Sequence, residues 1–443
     1  MSAAVLLFNR DLRVRDHPAL SAAIAASDRV VPLFVLDDTI LRSDYARPNR
    51  LAFLLDSLED LRGELRDRGG DLFLRSGDVV AETMTVVREA GARSLWVTED
   101  YSSYARLRQR RLREACSRDG IELALRPGAT VIEPGAIVPD EGDHFKVFTP
   151  YWRKWSTLQM RASLPAPRRL STPSGLMKGR LPSLSSLVSE RVSPQLPRGG
   201  ESEARKRLSR WLRAGLEGYG NRHDDLAGDK TSRLSPYLHF GCLSPVELVG
   251  RAGGKAGAEP FIRQLCWRDF HHQVLAAAPT LSRRDYRDRD RRWRDDPEAL
   301  QSWKEGRTGL PIVDAGMRQL ACEGFMHNRA RLITASFLTR DLQLDWRLGA
   351  AHFWDLLVDG DIANNAGNWQ WVAGTGNDTR PNRRFNPLRQ SHRFDPQGNY
   401  VRRYVPELSG IEGAAVHEPW KLAEDARAVL GYPAPIGDHK PRW

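Results

Sequence analysis

Cysteine is scarce in this 443-residue chain: Cys116, Cys242, Cys266 and Cys322 are all there is. None stands in a C-x-x-C pair or at metal-ligand spacing. That argues against a disulfide scaffold and for a reducing compartment. Long apolar runs are missing too; none approaches the roughly 18 residues of a membrane span. The opening run "AAVLLF" is cut short by Asn9, Arg10 and Asp11, so no signal peptide is expected. The expectation is a cytoplasmic monomer without a membrane anchor. No G-x-G-x-x-G follows the first strand, so the usual dinucleotide fingerprint is absent. Neither a Ser-His-Asp order, an activated Cys nor a metal-ligand cluster is apparent. Any chemistry is therefore expected to belong to a cofactor.

What is abundant is arginine, and late in the chain tryptophan. The formal net charge is +11 and the isoelectric point about 9.7. Such an excess favours a polyanion partner, most often nucleic acid; the competing reading is a merely basic proteome. Only Trp96 lies in the first 130 residues, whereas ten of the 13 tryptophans follow residue 200.

Residues 1–128 alternate strand-like apolar runs ("AAVLLFN", "RVVPLFVLD", "DLFLRSG", "SLWVTED", "IELALRPG") with helical patterns. That order predicts an α/β domain, a parallel sheet with helices on both faces. A ligand of such a domain belongs at the carboxyl ends of the strands. There stand Asn9-Arg10-Asp11, Asp37-Asp38 and Glu99-Asp100. Residues 129–200 are expected to connect two domains. The Pro-, Ser- and Arg-rich stretch 161–200 reads as a linker wrapped over the surface. Residues 201–443 are dominated by helical patterns, including "GMRQLACEGFMHNRARLITASFLTRDL", and read as an all-α domain.

Four segments of that half are candidates for chemistry. "GDKTSRLSPYLHFG" places Thr231, Ser232 and Ser235 where a helix should begin, with Arg233 adding charge. It is either an ordinary cap or an anion site. "FIRQLCWRDFHH" spaces Gln264, Trp267, Arg268 and His271 by three and four residues, on one helical face. An amide, an indole and a guanidinium suit a flat heteroaromatic ligand or an unstacked base; a polar network between helices is the alternative. "MHNRARLITASFL" puts Asn328 and Arg331 on one helix. Arg331 is expected to pair with Asp359 or Asp361, which by itself is often only structural. "DGDIANNAGNWQWVAGTGND" (359–378) adds a dense set of carboxamides and a W-Q-W triplet.

Together "LLFNRDLRVRDHPAL", "TSRLSPYLHFG", "WRDFHHQV", "GLPIVDAGMRQLACEGFMHNRARLITASFLTRDLQLDW" and "LLVDGDIANNAGNWQWVAGTGND" resemble the DNA photolyase/cryptochrome family, over nearly the whole chain. The resemblance is strongest to class I photolyases of cyclobutane pyrimidine dimers. It implies an N-terminal α/β domain and a helical domain holding FAD in a folded shape. Around that FAD it implies Tyr219, Thr231, Ser232, Arg233, Leu234, Ser235, Gln264, Arg268, His271, Asn328, Arg331, Asp359, Gly360, Asp361 and Asn365. It further implies an electron-hopping chain Trp369, Trp346, Trp293, starting beside the flavin.

For damaged DNA the resemblance implies contacts at Arg222, His223, Gln264, Trp267, Arg268, Asn328, Arg329, Leu332, Trp371, Arg383, Arg384, Arg389 and Gln390. Trp267 and Trp371 would flank a flipped lesion. Asn328 and Leu332 stand where (6-4) enzymes carry paired histidines, which favours the cyclobutane dimer. Gln264 replaces an acid common in that class. Arg10, Phe34, Asp38 and Asp100 would line an antenna site, with 8-hydroxy-5-deazaflavin preferred over methenyltetrahydrofolate. A light-sensing cryptochrome without repair activity is the runner-up. The short stretch after "HEPWKL" (417–422), Asn365 and the two indoles weigh toward repair.

Overall fold

Alternate residues of the first strand go to opposite sides of a sheet, as a period of two requires. In β1 (Ala3–Phe8) the side chains of Ala4, Leu6 and Phe8 join one core, and those of Ala3, Val5 and Leu7 another. The computed structural model describes residues 2–289, 291–377 and 384–436. After β1 come α1 (Pro18–Ala26), β2 (Arg29–Asp37), α2 (Asp38–Leu41), α3 (Pro48–Arg66), β3 (Phe73–Gly77), α4 (Val79–Glu89), β4 (Ser94–Thr98), α5 (Ser103–Asp119) and β5 (Glu122–Arg126). All pairings are parallel, in the order β3-β2-β1-β4-β5. Helices α1 and α3 cover one face, α4 and α5 the other. The strand order reverses between β1 and β4, which places Arg10 and Asp100 at the switch point.

The core on the α1/α3 face does not stop at this domain. It continues into Ala204, Leu208, Trp211, Tyr237 and Leu248 of the helical half. Arg13 ties the same seam from inside. It is 1% exposed and donates to the carbonyls of Asp16 (3.1 Å), Gly128 (3.2 Å) and Gly241 (3.0 Å). At Gly241, with φ +70°, a Cβ would lie 2.0 Å from the Arg10 carbonyl oxygen. Only glycine allows that approach.

Between the halves, α6 (Phe148–Trp155) packs on the helical side, with the Trp155 indole donating to Asp269 (3.0 Å). Residues 161–200 carry one short turn and run along the α/β domain. Leu170 is buried there, and Lys178 O accepts from Leu74 N.

The helical half comprises α7 (Glu201–Ala214), α8 (Tyr219–Arg222), α9 (Ser235–His239), α10 (Pro245–Ala252), α11 (Ala258–Ala277), α12 (Pro297–Glu305), α13 (Pro311–Glu323), α14 (Asn328–Ser336), α15 (Trp346–Leu356), α16 (Ile362–Ala373), α17 (Pro387–Phe394), α18 (Asn399–Tyr404) and α19 (Glu424–Leu430). Two details differ from expectation. The pattern 316–342 is not one helix. Gly324, at φ +61°, ends α13, and His327 starts α14 by accepting from Arg329 N. The Thr231–Ser235 run is mostly loop before a five-residue helix whose cap is Leu234. Ser235 therefore caps nothing. Among the described residues no helix is long and apolar enough to cross a membrane.

Candidate functional site

Helical spacing builds one cavity. Asn328, Arg331, Leu332 and Ala335 recur every three or four residues on α14; Asn364, Asn365, Asn368, Trp369 and Val372 do so on α16. With Phe353, Leu357, Asp359, Gly360 and Asp361 they line one partly open cavity. Its lining combines apolar side chains with amides, an arginine and two acids. That combination suits a flat heteroaromatic ring with a polar edge.

Both acids are held on both oxygens. Arg331 Nη2 donates to Asp359 at 2.8 and 3.1 Å, and Ser235 Oγ donates to Asp359 Oδ2 at 2.6 Å. Asp361 Oδ1 accepts from Asn364 N (2.9 Å) and Nδ2 (2.7 Å), starting α16; its Oδ2 accepts from Arg10 Nη2 at 2.5 Å. Burial opposes ionisation of Asp361, but His272, Arg10 and Arg268 outweigh it and hold the carboxyl well below its usual range. Burial pushes His272 itself down to about 4, so at neutral pH the arginines supply the charge. Asn365 is fixed by donating to Ala350 O at 3.2 Å. Trp369, 3% exposed, meets Phe353 (centroids 4.9 Å) and Trp303 (6.2 Å).

The family model for "FAD binding domain of DNA photolyase" matches residues 261–442, which contain the whole cavity, and that for "DNA photolyase" matches residues 4–168. A deoxyribodipyrimidine photo-lyase of Streptomyces griseus is 53% identical, over 99% of this chain and 97% of its own. The chain belongs to the DNA photolyase/cryptochrome family. The crystal structure of a bacterial class III photolyase from Agrobacterium tumefaciens superposes with a TM-score of 0.93 at 34% identity, covering 99% of this chain and 95% of that one. The archaeal photolyase from Sulfolobus tokodaii, crystallised with two FAD molecules, gives 0.86 at 31% identity, covering 98% and 96%.

In this photolyase-family chain the cavity gathers Asn328, Arg331, Asp359, Gly360, Asp361, Asn365 and Trp369. Leu332, expected on the DNA side, lines it as well. The residues fit FAD: the donor set suits a polar ring edge, and Thr231 Oγ1 is buried without a hydrogen-bond partner. The other expected flavin contacts lie outside the cavity wall. Tyr219 packs edge-on against Trp211 (5.7 Å), and Arg233 pairs with Asp229 (2.6 Å) and Glu323 (2.5 Å). His271 is buried against Gly367 of α16, where a Cβ would meet its ring at 2.3 Å; burial pushes it down to about 4. Trp346 is fully buried and Trp293 partly buried in the same core as Trp369.

Of the expected DNA contacts, Arg222, Gln264, Asn328, Arg384 and Arg389 are exposed. Arg384 pairs with Asp341. Arg329 pairs with Asp224 (2.5 Å), and Arg268 turns inward to Ala129 O. Phe148 of α6 covers one face of Trp267, with centroids 3.6 Å apart and planes at 5°. Trp371 leans on Phe385 (5.9 Å). His223 Nδ1 lies 3.0 Å from Tyr219 O, and Gln390 Oε1 is buried without a partner. Arg383 lies outside the described residues.

The expected antenna residues do not form one cluster of contacts. Asp38 pairs with Arg42 at the surface (2.8 Å), and Phe34 belongs to the core. Arg10 is engaged by Asp361, with Asp100 at 3.7 Å. Sequence reasoning passed over Arg108. It is buried, influences Asp100, and has Nε and Nη2 without partners. The signal was there, in an arginine on the inward face of α5 amid exposed ones.

Proposed function

We propose that this protein is a cytoplasmic, monomeric deoxyribodipyrimidine photo-lyase acting on cyclobutane dimers in UV-damaged DNA. The observation that carries the reading is the cavity in which each acid is matched by an arginine, with four asparagines and an indole in its wall. When bound, FAD would supply light-driven transfer of one electron to the lesion and its return. Arg331, Asp359, Asp361, Asn328 and Asn365 would hold the polar edge of its ring; Leu332, Ala335 and Val372 would exclude water from its face. Arg331 favours negative charge there. Tyr219 and the Thr231–Ser235 loop would hold the phosphate end.

Trp369 is the oxidisable side chain in the wall. Trp346 and Trp293 continue through the same core and would carry the hole away from it. Trp267 and Trp371 would flank the flipped dimer, with Gln264 at its edge. Around them a rim of arginines would neutralise phosphates. A dimer stacks and pairs poorly, so extruding it costs only a few kcal/mol.

Dimer splitting needs no obligatory proton transfer, and Asn328 and Leu332 supply no acid for the oxygen transfer of (6-4) repair. His327 is buried and caps α14; burial takes it down to about 4. An antenna, if a deazaflavin, would lie at the switch-point crevice, where Arg108 Nε and Nη2 are buried without hydrogen-bond partners. The test is product analysis of oligonucleotides carrying one defined lesion, with FAD reduced beforehand and a dark control. Splitting of cyclobutane dimers with (6-4) products untouched is expected. Repair of (6-4) products alone overturns the lesion choice, and repair of neither leaves a light sensor.

A further inference from the structure

Asp361 belongs to the flavin cavity, yet the cation that binds it comes from the other end of the chain. Arg10 follows β1, and 351 positions separate the partners. Its guanidinium is spread over the domain seam. Nη2 meets Asp361 Oδ2 at 2.5 Å, Nε donates to His239 O at 3.0 Å, and Nη1 lies 3.7 Å from Asp100. The remaining titratable or charged groups facing this pair are His239, His272, Arg268 and Tyr45. His272 Nε2 is 3.6 Å from Asp361 Oδ2. Burial keeps both histidines uncharged at neutral pH. Arg268 spends a donor on Ala129 O. Arg10 is therefore the charge in direct contact.

We infer that Arg10 is a positioning residue for Asp361, and through it for the charge and the first turn of α16 at the flavin cavity. The inference rests on the reading of that cavity as the FAD site. One carboxylate oxygen of Asp361 starts α16 through Asn364, so the other must be held for the carboxylate to keep its plane. Asn365, Asn368 and Trp369 all ride on that helix. Removing Arg10 leaves a buried carboxylate short of its counter-charge beside the ring. Extra negative charge there disfavours the reduced, more electron-rich flavin, so the potential must fall.

The experiment measures the flavin midpoint potential by spectroelectrochemistry and the FAD dissociation constant of the apoprotein. It compares wild type, R10Q, R10K, D100N and R10Q/D361N, with far-UV circular dichroism as the control for fold. R10Q should move the oxidised–reduced equilibrium about tenfold toward oxidised flavin, about 59 mV for a one-electron couple. R10K should recover about half of that shift on a logarithmic scale, because it keeps the charge but loses the fork. D100N should move it less, since its contact is long. R10Q/D361N should lie closer to wild type than R10Q does, the non-additivity of a coupled pair.

A folded R10Q with an unshifted potential overturns the inference, and so does additivity in the double variant. Where R10Q does not fold, R10K decides: a shift toward oxidised flavin supports the inference and no shift overturns it. If wild type itself releases no FAD on denaturation, the flavin reading falls and takes this inference with it. Flavin in wild type with no effect of Arg10 sinks only the inference.

Discussion

Trp369 occupies the cavity wall with rings on two sides, so its replacement by phenylalanine leaves the wall apolar but removes the most oxidisable group in it. Trp369→Phe is expected to block photoreduction of oxidised flavin while repair by chemically reduced flavin persists. Absorbance during blue illumination, followed by a repair assay after dithionite, separates the two. Normal photoreduction would refute the assignment of Trp369 as the first carrier. Gln264 lies exposed on α11, so its exchange costs the core nothing. Gln264→Glu should preserve or raise the yield of dimer splitting, because a protonated carboxyl shares its proton with a reduced dimer. A lower yield measured on a defined thymine dimer would argue that the amide is the better partner here.

At the scale of elements, the start of α16 is the most sensitive point. Asparagine caps a helix about as well as aspartate, so Asp361→Asn keeps the cap and discards only the charge. Stripping one partner from a buried ion pair typically costs about 3–5 kcal/mol; a clear fall in the urea midpoint is expected, and an unchanged midpoint would mean that Asp100 suffices for Arg10. The residues of this helix stood out in the sequence as a dense set of carboxamides around a W-Q-W triplet, but the helix and its Asp361 cap were not read there. The apolar lining was not legible: Ala335, Phe353, Leu357 and Val372 look like any buried helical stripe until a neighbouring wall is absent. Nor was the Arg10–Asp361 pair, since spacing within a segment says nothing of partners hundreds of positions away. The α/β half was easier, because a parallel sheet writes both of its faces into each strand. The Thr231–Ser235 run misled because hydroxyls mark caps and loops alike; here Arg233, at φ +50°, bends the chain away from helix.

For the molecule as a whole, buried and half-buried histidines shape the response to acid. His271, His272, His327 and His352 are each pushed down to about 4, chiefly by burial. An unfolded histidine takes its proton near pH 6.5. Between about 6.5 and 4 the unfolded state binds more protons, so stability falls as the pH drops through that window. Each proton contributes a slope of about 1.36 kcal/mol per pH unit. Urea midpoints at pH 7.5 and 5 should differ markedly; equal midpoints would mean that these rings protonate in place. The net charge of +11 acts on the partner. Affinity for DNA should drop steeply with salt, as displaced counterions require. Trp267→Ala should lower the preference for dimer-containing DNA by roughly 1–3 kcal/mol with little change in the salt slope. Filter binding over a salt series tests both, and an altered slope with intact preference would reverse the assignment of Trp267.

Arg13 adds a clock to this architecture. Its carbonyl partner at Gly241 lies 228 positions downstream, and ribosomes deliver roughly 5–20 residues per second. Arg13 therefore waits roughly 10–45 s at that rate for this last partner, while the Asp16 and Gly128 carbonyls reach it earlier. The core on the α1/α3 face is completed only when Ala204, Leu208, Trp211, Tyr237 and Leu248 follow, so slowed synthesis of that stretch lengthens its exposure.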